Sequence, residues 1–169
     1  MKHALVVFES MFGNTGKIAE AVAEGLRTGM TVDVVEVSSA PAVLGDEVEL
    51  LVVGGPTHAF SMSKASTRAD AAKQGADEKI AAGGGLREWV DQVSHGGTRP
   101  VVAAFDTKVE RPKMPGSAAR AALKRLRRAG FPALTKAENF YVGGTPGPLV
   151  DGELDRARDW GARCAAETR

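Results

Sequence analysis

Residues 4–15 read ALVVFESMFGNT: five apolar residues, then a polar loop that contains one glycine. A short apolar run that ends in a turn is typical of a buried strand. Apolar residues then recur at helical spacing, at Ile18, Ala19, Val22, Ala23 and Leu26. The sequence therefore predicts a strand, a tight loop and an amphipathic helix in direct succession.

Three further apolar runs, 31–37, 50–54 and 101–105, and a weaker candidate at 139–142, predict more strands. Valine dominates them and several lack strict alternation, which is typical of parallel strands covered on both faces. Helical patterns lie between them, near 86–93, from Ala118 onward, and after Asp151, which is predicted to cap the last helix. Strands that alternate with helices predict an α/β doubly wound sheet in one domain, residues 1–169.

The composition narrows the range of functions. The chain has 22 basic and 21 acidic residues, a formal charge of +1, so neither nucleic acid nor an anionic membrane is expected as its main partner. The single cysteine, Cys164, excludes an intramolecular disulfide and a cysteine-rich metal site, and no metal is expected. No apolar run approaches 18 residues and no targeting leader is visible, so we expect no membrane insertion and a cytoplasmic location.

The loop between the first strand and helix has the chemistry of an anion site. A helix N-terminus offers unpaired N–H groups and a partial positive charge. Ser10, Asn14 and Thr15 add hydroxyl and amide groups, and Gly13 allows a close turn. The alternative is that Thr15 only caps the helix and Gly13 only makes the turn.

Ser10, Gly13 and Thr15 match the first loop of the flavodoxin family, Ser/Thr-x-Ser/Thr-Gly-x-Thr, with Phe12 at the middle hydroxyl position. The loop also resembles those of flavodoxin-type oxidoreductases and flavodiiron proteins. The resemblance implies a three-layer flavodoxin-like fold with a five-stranded parallel sheet of order 2-1-3-4-5. It also implies that FMN is the cofactor and that its phosphate lies in this loop, at Ser10, Met11, Phe12, Gly13, Asn14 and Thr15.

The resemblance assigns two more loops to the flavin. The second contains Pro56, Thr57, His58, Ala59 and Phe60. Pro56 is predicted to end strand pairing because it lacks an N–H. His58 takes the place of the aromatic residue that covers the ring, with Phe60 as a second candidate. Alternatively, His58 only hydrogen-bonds the loop.

The third flavin loop contains Asp106 and Thr107, and it lacks the tyrosine often found there in flavodoxins. Asp106 is an equally good candidate for capping a turn.

If His58 faces a reduced, anionic flavin, the attraction is expected to raise the pKa of its imidazole.

Other activities fit less well. A phosphate-loop NTPase motif is absent, and a receiver domain would need an aspartate where Gly54 and Gly55 stand. A hydrolase triad of Ser10, His58 and Asp106 is conceivable, but the Gly-x-Ser-x-Gly elbow is missing.

The resemblance leaves three functions open: an electron carrier with a redox partner protein, an oxidoreductase with a quinone or similar small acceptor, and a regulatory module that has lost FMN. The near-neutral charge weakens the carrier interpretation, because flavodoxins are typically acidic.

A basic stretch is either a solvated helix face or a site for an acidic partner. It consists of Arg120, Lys124, Arg125, Arg127 and Arg128. The long segment 56–85 is predicted to be functional or mobile, with a short helix near 68–73.

Overall fold

The computed structural model describes residues 1–77 and 84–168. The strands are β1 His3–Phe8, β2 Thr31–Glu36, β3 Val43–Leu44, β4 Val48–His58, β5 Ser61–Met62, β6 Ser94–His95, β7 Val101–Val109 and β8 Glu138–Val142. The helices are α1 Asn14–Leu26, α2 Ala65–Lys73, α3 Leu86–Gln92, α4 Ala118–Arg128 and α5 Glu153–Glu167.

The main sheet is parallel and has the order β2-β1-β4-β7-β8. These are the five predicted strands, so the order 2-1-3-4-5 is confirmed. β5 pairs antiparallel with the end of β4, and β3 pairs with β6 apart from the main sheet. The carboxyl ends of the parallel strands therefore meet at one edge, where a doubly wound sheet binds its ligands.

The prediction that Pro56 ends strand pairing is wrong. β4 continues to His58, and Pro56 itself pairs with Thr107 of β7. β1 pairs with β4 only as far as Gly54. The pairing of β4 with β5 begins only at Thr57, so β7 is the one strand paired with Pro56, and the sheet tolerates its missing N–H there.

Helices cover both faces of the sheet. On one face, α1 and α5 bury an aromatic cluster of Phe105, Phe140 and Trp160, whose rings meet edge to face. On the other face, α3 and α4 pack on β4 and β7 around Trp89. The three-layer arrangement is confirmed, and both tryptophans belong to the core.

The last helix, α5, starts differently from the prediction and contains the single cysteine. The helix begins at Glu153 with Gly152 at its N-cap and no side-chain cap, so the prediction that Asp151 caps it is wrong. Cys164 is buried on the inner face of α5, and this burial raises the pKa of its thiol to about 12. Within residues 1–77 and 84–168, no helix is both long and apolar enough to cross a membrane.

Close contact between α1 and α5 depends on two glycines. A Cβ on Gly25 would lie 2.0 Å from the carbonyl oxygen of Arg158, and one on Gly161 would lie 2.2 Å from that of Val22. Both obstacles are backbone atoms, which cannot rotate away. The two helices can therefore approach this closely only because neither position carries a side chain.

We expect Gly25→Ala to lower the free energy of unfolding by about 1–3 kcal/mol, since overpacking outweighs the roughly 1 kcal/mol that alanine gains in a helix. Urea unfolding monitored by circular dichroism measures the change. Gly29→Ala is the matched control, because its Cβ would make only an ordinary contact with Ala165, at 3.6 Å. Equal stability of wild type and Gly25→Ala would contradict the proposed packing.

Candidate functional site

A cavity of about 70 Å³, here called the inner cavity, lies where the carboxyl ends of β1, β4, β7 and β8 meet. Its lining comes from four loops or strand ends: Met11, Phe12, Asn14, Thr15, Pro56, Thr57, His58, Thr107, Lys108, Val109, Val142 and Thr145. Eight of these are predicted site residues. The fold thus brings together side chains from the first, second and third predicted loops.

The first loop is shaped by the hydroxyl of Ser10. Its Oγ accepts hydrogen bonds from the N–H groups of Gly13 and Gly16, both at 3.1 Å. Gly13 is the N-cap of α1 and has a φ of 92°, which glycine adopts without strain. Ser10 and Gly13 therefore form the loop from within and do not line the inner cavity.

The remaining amides of the loop are free to bind a ligand. Among the residues that the structure describes, none accepts a hydrogen bond from the N–H groups of Met11, Phe12, Asn14 and Thr15. All four residues line the inner cavity. Four unpaired donors at the positive end of a helix have the chemistry that favours an anion.

Side chains of the first loop join it to the other loops. Thr15 Oγ1 lies 2.7 Å from Thr107 Oγ1, and this contact is buried. Asn14 Nδ2 donates to the carbonyl oxygen of Pro146, at 3.1 Å, in the loop after β8. The alternative in which Thr15 caps the helix is not observed, because α1 has no side-chain cap.

The second loop is a hairpin whose turn consists of Ala59 and Phe60. Both residues have positive φ, 45° and 73°, a conformation that favours glycine or asparagine. Each such residue costs on the order of 1–2 kcal/mol. Gly116 packs directly on this turn, since a Cβ there would lie 2.2 Å from the carbonyl oxygen of Phe60. The strained turn holds the Phe60 side chain 52% exposed at the site.

A second cavity, of about 290 Å³ and here called the outer cavity, adjoins the inner one. It is lined by Thr57, Ala59, Phe60, Lys108, Val109, Met114 and Pro115. Lys108 lines both cavities, and its Nζ donates to the carbonyl oxygens of Met114 and Gly116, at 3.3 and 2.6 Å. This lysine therefore brings a positive charge to the loop that contributes Met114 and Pro115 to the outer cavity.

Asp106 lies inside the protein. Its carboxylate accepts hydrogen bonds from the hydroxyl of Ser117, the N–H of Ala119 and the amide of Asn139, at 2.5, 3.0 and 2.9 Å. The side chain thus supports the N-terminus of α4, as the capping alternative proposed. Contact between Asp106 and a ligand stays a prediction, since this buried residue lines neither of the two cavities described here.

The hydrogen bonds do not form the chain of contacts that a hydrolase triad requires. Ser10 and Asp106 have the partners given above, and Nδ1 of His58 lies 3.1 Å from Thr67 Oγ1. A serine nucleophile activated by His58 is therefore not supported.

The protein surroundings of His58 lower the pKa of its imidazole, and the increase expected beside a reduced flavin stays a prediction. Burial lowers this pKa from its ordinary value, and the positive charge of Arg68 lowers it further. The imidazole is consequently neutral at pH 7. The expected increase depended on a ligand charge, whereas the protein surroundings act in the opposite direction.

We expect stability to fall as the pH drops below about 6.5, where the unfolded His58 takes up a proton and the folded one resists. One such group contributes a slope of at most about 1.4 kcal/mol per pH unit. Urea unfolding between pH 5 and pH 8 should show a shallower dependence of stability on pH for His58→Gln than for wild type. Identical slopes for wild type and His58→Gln would contradict the proposed burial.

A doubly wound parallel sheet of this order, with an amide-rich loop after its first strand, is the arrangement found in flavodoxin-like α/β proteins. The Flavodoxin family model matches residues 6–157, and the chain belongs to this family. No curated protein matches the sequence.

Solved structures show the same fold at low sequence identity. Oxidised flavodoxin 1 from Bacillus cereus is 16% identical, with 98% of each chain covered and a TM-score of 0.69. A flavodoxin from the domain Archaea is 19% identical, with 98% of each chain covered and a TM-score of 0.65. The flavodiiron protein from Giardia intestinalis is 17% identical over 99% of this chain and 36% of that chain, with a TM-score of 0.61.

Six residues of the two cavities were not predicted as site residues: Lys108, Val109, Met114, Pro115, Val142 and Thr145. Lys108 directly follows the predicted Thr107, so a wider third loop would have included it. Thr145 follows the fifth strand, whose carboxyl end lies at the same edge as the others. Met114 and Pro115 have no comparable signal, because they reach the site by a turn that the pattern of apolar residues does not reveal.

Proposed function

We propose that the protein binds FMN and transfers electrons through it. The observation that carries this proposal is that four residues lining the inner cavity, Met11, Phe12, Asn14 and Thr15, have backbone N–H groups with no acceptor among the described residues. A phosphate dianion is the chemical group that such donors bind best. Membership of the flavodoxin family supports electron transfer through a flavin as the function.

The two cavities suit the two ends of this cofactor. The inner cavity, at about 70 Å³, has room for a phosphate group and not for a ring system. The outer cavity is larger, at about 290 Å³, and has the apolar side chains of Phe60 and Met114 on its walls. Residues of the first loop would hold the phosphate, and Phe60 and Met114 would contact the ring. Bound FMN supplies one- or two-electron chemistry, which the protein tunes.

Lys108 gives the site a distinct electrostatic character. Lys108 lines both cavities and carries a positive charge, whereas His58, which also lines the inner cavity, has a lowered pKa and is neutral at pH 7. A positive charge next to a redox group favours the form with more electrons. We therefore propose that Lys108 stabilises the reduced state of the cofactor, while His58 contributes packing and no charge.

The exposure of the outer cavity is consistent with two uses of the electrons. A protein partner can reach its edge, and so can a small acceptor such as a quinone, because Phe60 and Met114 are 52% and 44% exposed. A cytoplasmic location remains part of the proposal. The regulatory alternative, a module without FMN, is weakened because the loop amides have no other acceptor among the described residues.

Titration of the purified protein with FMN tests the proposal. We expect the visible flavin spectrum to shift, the flavin fluorescence to be quenched and the thermal unfolding temperature to rise with FMN concentration. Stopped-flow reduction by NADPH, followed by a quinone, then separates an oxidoreductase from a carrier. Saturating FMN that changes neither the spectrum nor the unfolding temperature would leave only the regulatory interpretation.

A further inference from the structure

A groove of about 740 Å³ runs beside α4, on the face of the sheet that also carries α3. Its lining consists of Arg120, Leu123, Lys124, Arg127, Arg128, Lys136 and Ala137. Five of these side chains are cationic, two are apolar and none is acidic. The groove therefore combines a positive rim with a small apolar floor.

The positive charge of the groove is not neutralised within the protein. Arg125, on the same helix, forms an ion pair with Asp91 at 2.7 Å. None of the five groove cations has an acidic partner within salt-bridge distance among the described residues, and all five are exposed. Since the whole chain has a formal charge of only +1, these cations are concentrated on one face of a nearly neutral molecule.

The groove leads toward the proposed flavin site. α4 starts at Ala118, whose N–H donates to Thr57 Oγ1, and Thr57 lines both cavities. The 11 residues of this helix span roughly 16 Å at 1.5 Å per residue. Arg120 is thus within one turn of the helix end that contacts Thr57, and the other cations of the helix follow along its length.

We propose that this groove is the docking surface for an acidic electron-transfer protein, an inference that rests on the proposed redox function. A negatively charged partner that lies along α4 gains electrostatic attraction from the five cations. Its leading edge then meets the exposed apolar side chains of Phe60 and Met114 at the outer cavity. The groove selects and orients the partner, and the apolar edge provides the point of electron exchange.

The shape of the groove and the small extent of its positive charge favour an acidic protein over other polyanions. A bilayer surface is flat and would leave a concave groove with an apolar floor unfilled. Nucleic-acid binding typically uses more phosphate contacts than five clustered cations provide, along a longer stripe. An acidic loop or helix with an aliphatic side chain matches both the rim and the floor.

The test measures binding of a purified, acidic [2Fe–2S] ferredoxin by calorimetry, at low and at raised ionic strength. The charge-reversal variant is Lys124→Glu/Arg127→Glu. The control variant, Arg27→Glu/Arg163→Glu, makes the same charge change with exposed residues of the opposite layer. We expect the first variant to weaken binding at least about tenfold, the control to weaken it only slightly, and salt to weaken wild-type binding.

Ferredoxin is titrated into the apoprotein and into the FMN-loaded protein. The docking surface and the redox function can then be contradicted independently of each other. Binding of ferredoxin without any binding of FMN would support the docking surface and remove the redox function. Equal weakening in both variants, or no binding of ferredoxin to wild type, would overturn the docking surface. Tighter binding to phosphatidylglycerol vesicles than to ferredoxin, abolished by the first variant, would overturn it in favour of a membrane surface.

Discussion

Replacing Arg68 with methionine is expected to lower the free energy of unfolding by about 3–5 kcal/mol at neutral pH. Arg68 is only 4% exposed, and its guanidinium donates to Ser63 Oγ at 2.8 Å and to Glu88 Oε1 at 2.6 Å. Ser63 in turn donates to Glu9, which is 1% exposed. Methionine fills a volume similar to that of arginine, but it leaves the buried carboxylate of Glu9 without the nearby positive charge of Arg68.

The same cluster makes this loss depend on pH. Burial raises the pKa of Glu9 from its ordinary value, whereas the hydrogen bonds from Ser63 and Leu86 and the charge of Arg68 lower it. Without Arg68 the carboxyl group is expected to hold its proton to a higher pH. The penalty should therefore be smaller at pH 5 than at pH 8, because a protonated Glu9 needs no cation.

Urea unfolding at both pH values measures these effects. Arg125→Met is the control, since its ion pair with Asp91 is largely exposed and is expected to contribute less than about 1 kcal/mol. Adding Glu9→Gln to Arg68→Met should recover part of the loss. A loss for Arg68→Met no larger than that for Arg125→Met would show that the cluster does not stabilise the fold.

The second large effect concerns ligand binding without a change in stability. Asn14→Asp is expected to weaken FMN binding by about 2–4 kcal/mol, because a carboxylate at the inner cavity repels a phosphate dianion. Asn14 is also the first residue of α1, where a negative charge is favourable to the helix. The lost hydrogen bond to Pro146 offsets this gain, so the apoprotein should unfold within about 1 kcal/mol of wild type.

Fluorescence titration with FMN and urea unfolding of the apoprotein measure the two quantities. Lys17→Gln makes the same change in net charge one turn further along α1, at an exposed position outside the cavity. We expect it to weaken FMN binding much less than Asn14→Asp does. Equal weakening by the two variants would mean that general charge, and not contact with the phosphate, determines affinity.

The sequence predicts the sheet and the first loop well because both depend on local pattern. Residues 4–26 contain a strand, a loop and a helix in direct succession, and the structure has all three. The end of β4 is different, since whether Pro56 can continue a strand depends on which neighbouring strand is still present. That information is tertiary and is absent from the local sequence.

Side-chain partners could not be predicted for the same reason. Glu9 lies 77 positions from Leu86 in the sequence, and no local pattern links the two residues. In the fold, the Glu9 carboxylate accepts a hydrogen bond from the N–H of Leu86, at 2.6 Å. Asp106 is at the expected edge of the sheet, yet its carboxylate turns inward to Ser117 and Asn139. The pKa of His58 follows from burial, which only the folded chain defines.

The proposed function depends above all on binding of the flavin nucleotide's phosphate by the loop amides between Met11 and Thr15. Comparing the dissociation constants of FMN and riboflavin, which has the same ring and no phosphate, tests this claim most directly. We predict that riboflavin binds at least about 100-fold more weakly, since hydrogen bonds to a charged group contribute about 1.5–3 kcal/mol each. Equal affinity for FMN and riboflavin would contradict the account.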